Sequence, residues 1–304
     1  MNYIGELAAL ATALAFAINS GLFAAAGRRV GAGVVNRVRL IFAALFVTLS
    51  HWIFLGKPFP WDAEPERWLW LGLSGLVGFV LGDAFLFQAF VWVGARVSML
   101  MMSLAPVIAA LTAWIFLGES LTFWQMMGIV LTTSGVAWVL WEGNDSQVAQ
   151  GKNYVKGILF GLGGAIGQAL GVVLAKNGMQ PINDMGESFS PLSGNFIRLI
   201  TAVTIMWAYT IFKGEGKNTF QQLAGEGRAL GSIAGGAFVG PFLGVSLSLF
   251  ALQYTSVGIA STFMALSPVF LLPIGYFWFK ERFGWGAVAG TLLAVAGVAL
   301  LILA

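Results

Sequence analysis

The stretch LGDAFLFQAFVWVGARVSMLMMSLAPVIAALTAWIFLGESLTFWQMMGIVLTTSGVAWVL, residues 81–140, decides the fold. It reads as an apolar run, a turn at Gly94, a second run broken by Pro106, a charged stop at Glu119 and a third run holding Gly128 and Gly135. The same order returns 162 positions later without a gap. Gly82, Pro106, Glu119 and Gly128 reappear as Gly244, Pro268, Glu281 and Gly290, and Gly135-Val136-Ala137 as Gly297-Val298-Ala299. Self-similarity at a fixed offset marks an internal duplication.

Upstream of each copy the echo continues more weakly. Asn36, Arg39, Leu40 and Ile41 match Asn195, Arg198, Leu199 and Ile200; Gly5, Leu10, Ala13 and Ala17 match Gly157, Leu162, Ala165 and Ala169. The chain of 304 residues is 58% hydrophobic and only 10% charged, with a mean hydropathy of +0.85. Soluble domains carry roughly a quarter charged residues. Apolar runs near the roughly 20 residues that a helix needs to cross a bilayer recur along the whole length. The fold expected is therefore an all-α integral membrane protein of ten transmembrane helices, at about 4–26, 34–56, 68–92, 96–117, 121–141, 156–178, 194–213, 230–253, 257–279 and 284–303. The repeats are read as 1–141 and 156–304, joined by a linker at 142–155. Five spans per repeat is an odd number, so the second copy enters the membrane from the opposite side, giving two inverted five-helix repeats. Longer polar loops are expected at Lys57–Arg67, Met179–Ser190 and Lys213–Arg228.

Composition also excludes chemistry. The absence of cysteine rules out disulfides and thiol sites, and the single histidine, His51, reads as a packed or interfacial residue. No Walker loop is present, and Gly161-Leu162-Gly163-Gly164-Ala165-Ile166-Gly167 lies inside an apolar span rather than after a strand. No metal and no cofactor is expected. A net charge of +3 gives no argument for nucleic acid. The N-terminus reads as a retained first span. Lysines and arginines gather on the side opposite the termini, which under the positive-inside rule puts both termini outside.

Polar groups inside apolar spans are the functional clue, because hydrocarbon penalises them. Asp83, with Gln88 five residues on, stands well inside the third span, and its counterparts in the second copy are Val245 and Phe250. A carboxylate there is read as facing a cavity and as a candidate for proton coupling; the plainer reading pairs it with a neighbouring arginine or backbone group. Asn19, Gln168, Gln253 and Tyr254 are candidate hydrogen-bonding groups of the same cavity, with Phe85, Phe87 and Trp92 as its apolar wall. Arg39, Lys176 and Arg198 are candidate anion contacts, against a default in which arginines at span ends snorkel to the interface. Pro106 and Pro268 are candidate hinges, each expected to kink its span, with Pro273 adding a further break. Glu119 and Glu281, the latter flanked by Lys280 and Arg282, read as helix ends. Glycines four apart (Gly163, Gly167, Gly171; Gly236, Gly240, Gly244; Gly78, Gly82) read as close helix contacts.

The twofold run of apolar span, mid-span proline, Leu117-Gly118-Glu119 or Phe279-Lys280-Glu281, and the Gly128/Gly135-Val136 spacing repeated at Gly290/Gly297-Val298, resembles the EamA domain of the drug/metabolite transporter superfamily. The resemblance covers essentially the whole chain. It implies a cavity between two inverted five-helix halves, export of small organic metabolites such as amino acids without ATP, and both termini in the cytoplasm, against the charge count. The expected activity is secondary active transport at a midplane cavity, not enzymatic. The alternatives are a uniporter or exchanger of anionic metabolites and a non-transporting membrane scaffold. The expected partners are a small-molecule solute and the lipid bilayer, with no nucleic acid. The protein is expected to be a monomer in a prokaryotic cytoplasmic (inner) membrane.

Overall fold

The structure, a computed structural model, describes residues 3–142, 154–181, 189–270 and 284–303. Most of the expected linker, and Pro273, Lys280, Glu281 and Arg282, lie outside the described residues. The helices are α1 (Ile4–Val30), α2 (Ala32–Leu55), α3 (Pro65–Gly75), α4 (Asp83–Met102), α5 (Ala105–Leu117), α6 (Phe123–Glu142), α7 (Tyr154–Met179), α8 (Pro191–Phe212), α9 (Gly216–Leu223), α10 (Gly227–Ala237), α11 (Val245–Tyr254), α12 (Val257–Met264) and α13 (Trp285–Leu303). π-Helical segments at Leu76–Gly82 and Phe238–Gly244 join α3 to α4 and α10 to α11. No strand occurs among the described residues.

Nine helical segments among the described residues are long and apolar enough to span a bilayer. The span expected over 257–279 begins as the shorter apolar helix Val257–Phe270 and then leaves the described residues. Large apolar side chains point outward all along the bundle, with Phe212 and Trp285 87% and 88% exposed. Such a surface suits lipid rather than water, with tryptophan favouring the boundary.

The two halves interlock through antiparallel crossings. α7 runs against the third span of the first half: Gly178 lies against Leu71, Gly171 against Gly78, Gly167 against Gly82 and Gly164 against Leu86. α1 runs in the same sense against the third span of the second half, with Phe23 at Gly236, Asn19 at Gly240, Phe16 at Gly244 and Gly5 at Tyr254. The last helices of the two halves, α6 and α13, cross antiparallel at Gly128–Gly297 and Gly135–Gly290. A Cβ added to Gly135 would stand 2.4 Å from Ala294 N, so only glycine permits this approach. Glycine ladders therefore work here as contact faces between halves.

The expected turn at Gly94 lies between the spans Pro65–Ala89 and Val97–Leu117, although helical hydrogen bonding runs through it from Asp83 to Met102. Yet a Cβ on Gly157 would meet Val93, and one on Gly161 would meet Met101, eight residues further on. A straight antiparallel helix would carry Met101 beyond Gly157, so the axis folds back within α4. Pro106 does not kink a continuous helix: α4 ends at Met102 and the proline stands in the first turn of α5, where its missing N–H costs nothing. Pro268 likewise follows a turn at 265–266 after α12. The polar loop Lys213–Arg228 contains α9, docked on the start of α2 by the Arg37–Glu215 ion pair and by Arg37 Nη1 donating to Thr219 Oγ1 at 2.9 Å.

His51 is fully buried. Its Nδ1 lies 2.5 Å from Lys57 O and its Nε2 2.9 Å from Ser193 Oγ, so it ties α2 to the loop that follows it and to the start of α8.

Candidate functional site

The π segments fix the site. A π turn bonds residue i to i+5 and widens the coil, an arrangement frequent where helices carry function. Here the Asp83 N–H donates to Gly78 O, and 162 positions on the Val245 N–H donates to Gly240 O. The widened coil delivers Asp83 and Val245 to the inside of the bundle at matching heights of the two third spans. Pro241 has no N–H to donate within the second segment, and Asn195 supports its carbonyls, Nδ2 donating to Pro241 O at 3.0 Å and Phe242 O at 3.2 Å.

A cavity of about 370 Å³ lies between the halves. Phe16, Asn19 and Ser20 of α1, Phe79 and Asp83 of the third span, Gln168 of α7, Val245 of α11 and Ser261 of α12 contribute to its wall, with Arg39 reaching in from α2. Pro106 and Pro268 both border it, as do Met99, Met102, Val136, Leu140 and Met264. The wall is mainly apolar with one charged pole.

That pole is Asp83. Its Oδ2 accepts a hydrogen bond and ion pair from Arg39 Nη2, and its Oδ1 accepts from Gln168 Nε2 at 3.0 Å. Gln168 Nε2 also reaches Gly78 O at 3.4 Å. Arg39 is oriented by Asn36 Oδ1, which accepts from its Nε at 2.9 Å, and by the rings of Phe23 and Phe87, 5.6 and 6.0 Å from its guanidinium carbon. The Arg39 and Asp83 side chains are 13% and 10% exposed. Ion pairing is thus satisfied inside the bundle, with neither charge escaping to the interface. Ser261 also borders the cavity, its hydroxyl oxygen buried and without a hydrogen-bond partner among the described residues.

Of the residues singled out in the sequence, Asn19, Asp83, Gln168 and Arg39 meet at this cavity. Phe87 stands behind Arg39 rather than on the wall. Phe85 and Trp92 pack on Phe160, with centroids 5.3 and 4.7 Å apart, and Gln88 is half-buried on α4 away from the wall. Gln253 donates to Phe189 O at 2.7 Å, and Tyr254 packs tilted against Phe250 at 4.8 Å, both off the wall. Lys176 pairs with Glu119 at 2.7 Å and donates to Thr255 O at 2.7 Å; the other oxygen of Glu119 accepts the Val257 N–H at 2.7 Å. Glu119 thereby ends one helix, starts another and locks α5, α7 and α12 together. Arg198 is buried on α8 above the Phe79 ring. Sequence reading did not single out Phe16, Ser20, Phe79 or Ser261; only the repeat equivalence of Phe16 with Gln168 hints that α1 and α7 serve one site.

No curated protein matches the chain. A solved structure described only as a crystal structure of a protein superposes with a TM-score of 0.74 at 16% identity, covering 100% of this chain and 98% of that one. At that identity the likeness shows the fold. The EamA-like transporter family matches twice, over residues 3–141 and 155–303, so both repeats are accounted for. An all-helical, twice-repeated bundle enclosing a polar-tipped cavity, matched over nearly its whole length, belongs to the EamA-like transporter family and is a membrane transporter.

Proposed function

We propose that the protein is a secondary transporter, working as an exporter of small organic metabolites such as amino acids, by alternating access of two inverted five-helix repeats at 1–141 and 156–304. The observation that carries this is the Arg39–Asp83–Gln168 cluster at one end of an otherwise apolar cavity between the halves. A solute bearing both charges can exchange with the pair: its carboxylate takes Arg39 and its ammonium takes Asp83, so no buried charge is left alone. Its apolar part lies against Phe16, Phe79 and Met264. The antiparallel crossings support the inverted arrangement, because spans at equivalent places in the two halves run in opposite directions.

Proton coupling follows from the same pair. Protonating Asp83 frees Arg39, so a proton and a solute compete for one carboxylate. Closure at the end of α5 and α7 comes from the Glu119–Lys176 lock. The rival reading, a carrier of anions using Arg39, Lys176 and Arg198, is less well supported, since Arg39 is neutralised by Asp83 and Lys176 by Glu119. The protein acts as a monomer in a prokaryotic inner membrane, with a solute and lipid as its partners.

The test is uptake of radiolabelled amino acids into proteoliposomes with and without a pH gradient. Saturable flux that responds to the gradient, and is lost in Asp83→Asn, is the expected result. Gradient-dependent flux unchanged in Asp83→Asn removes the carboxylate from the mechanism, and no flux of any solute favours a scaffold.

A further inference from the structure

We propose that Arg198 is the centre of a second, small-anion site, separate from the Arg39–Asp83 pair. Arg198 is the repeat counterpart of Arg39, yet the place of Asp83 is taken by Val245. Its side chain is 5% exposed, its Nε–H has no acceptor, and it pairs with no carboxylate among the described residues. It lies over the face of Phe79, 4.7 Å from the guanidinium carbon to the ring centroid. It does not snorkel: the residue is buried, and α3 packs on its backbone so closely that a Cβ on Gly75 would stand 2.3 Å from Arg198 O. The guanidinium also lies beside Gly78, with Arg198 Nη2 3.7 Å from where a Cβ of that residue would be.

A guanidinium keeps its proton, and a lone cation in an apolar interior is heavily penalised unless an anion joins it. In the first copy the chain supplies that anion; in the second no described residue does. The planar fork accepts a carboxylate through two hydrogen bonds or a halide through one. Phe79 lines the cavity and also carries Arg198 over its ring, so an anion at Arg198 would neighbour the carried solute through that side chain. The ligand class is a monovalent anion, either an inorganic halide or the carboxylate of a solute.

Thermal unfolding of the purified protein in detergent tests this without any transport assay. Sodium chloride and sodium acetate are titrated separately on the wild type and on Arg198→Met. The expected result is a saturable rise in Tm in the wild type, absent in the variant. A response to chloride identifies an inorganic occupant; a response to acetate alone identifies a solute carboxylate. A wild type without a saturable response to either salt, or an Arg198→Met variant that keeps it, overturns the proposal. Should Arg198→Met fail to fold, Val245→Asp answers instead. It restores a carboxylate at the place that serves Arg39, and is expected to weaken the anion response about tenfold or more by competition. An undiminished response in Val245→Asp overturns the proposal equally.

Discussion

Replacing Asp83 by asparagine keeps the shape of the side chain and deletes the charge that Arg39 faces. Arg39 is then left with Asn36 Oδ1 at 2.9 Å and two aromatic faces 5.6 and 6.0 Å away. Removing one partner of a buried ion pair costs about 3–5 kcal/mol, because the other charge stays behind uncompensated. Here the pair borders a cavity that can admit water, and its side chains are 13% and 10% exposed, so the low end of about 3 kcal/mol applies. Converted at roughly 2–4 °C per kcal/mol for a chain of this order of size, that is a fall in Tm of about 6–12 °C. Removing both charges together, as Arg39→Met with Asp83→Leu, leaves nothing unpaired and is expected to restore wild-type stability or exceed it by about 1 kcal/mol or more. Transport is expected to vanish in both proteins. Thermal unfolding in detergent and proteoliposome flux, run side by side, separate the two roles. An Asp83→Asn protein as stable as wild type refutes the pairing argument, and a transporting double variant refutes the cluster as the solute's binding pole.

The crossing of α6 and α13 leaves no space for a methyl group at Gly135, so Gly135→Ala pushes the helices apart by about 1 Å and is expected to cost about 1–3 kcal/mol, read as a lower Tm. Unchanged or raised stability would show that helix propensity outweighs packing there. Glu119→Gln leaves Lys176 without its carboxylate and weakens the hydrogen bond to Val257 N. A charged hydrogen bond is worth about 1.5–3 kcal/mol, so that end should open at least about tenfold more often. Because the chain has no cysteine, a Thr255→Cys probe labelled by a water-soluble maleimide reads this directly, and an unchanged labelling rate rejects the lock. His51→Phe strands Ser193 Oγ and Lys57 O and is expected to lower stability by about 1–3 kcal/mol while leaving solute affinity intact; a changed affinity would tie His51 to the site.

Most of the architecture was legible because it is written twice. Matching glycines, prolines and glutamates set the repeat, and apolar runs set the spans to within a few residues. The faces of the helices were not legible. A span apolar all round carries no periodic signal saying which side looks inward, so Phe85, Trp92, Gln253 and Tyr254 could not be separated from Phe16 and Phe79. The π turns at Leu76–Gly82 and Phe238–Gly244 leave no mark in composition, although they decide where Asp83 points. The partner of Asp83 was legible as a class: the plainer reading paired it with a neighbouring arginine, and the structure supplies Arg39 of the adjacent span, since charges forced into hydrocarbon seek one another. Reading Arg39 itself as a snorkelling end residue or an anion contact left the two unconnected. α9 escaped because its eight residues are polar on one side and too few to show a period.

The repeats match in path but not in chemistry: Gly82 touches Gly167 where Gly244 touches Phe16, and Asp83 answers to Val245. A carrier that works by exchanging the parts played by its halves does not return to an equivalent state after such a swap. On the proposed alternating access, one facing direction lies lower than the other, and a gap of only about 1.4 kcal/mol would leave the empty molecule tenfold more often in one pose. On that proposal the duplication supplied the back-and-forth, and the mutations since then a resting position.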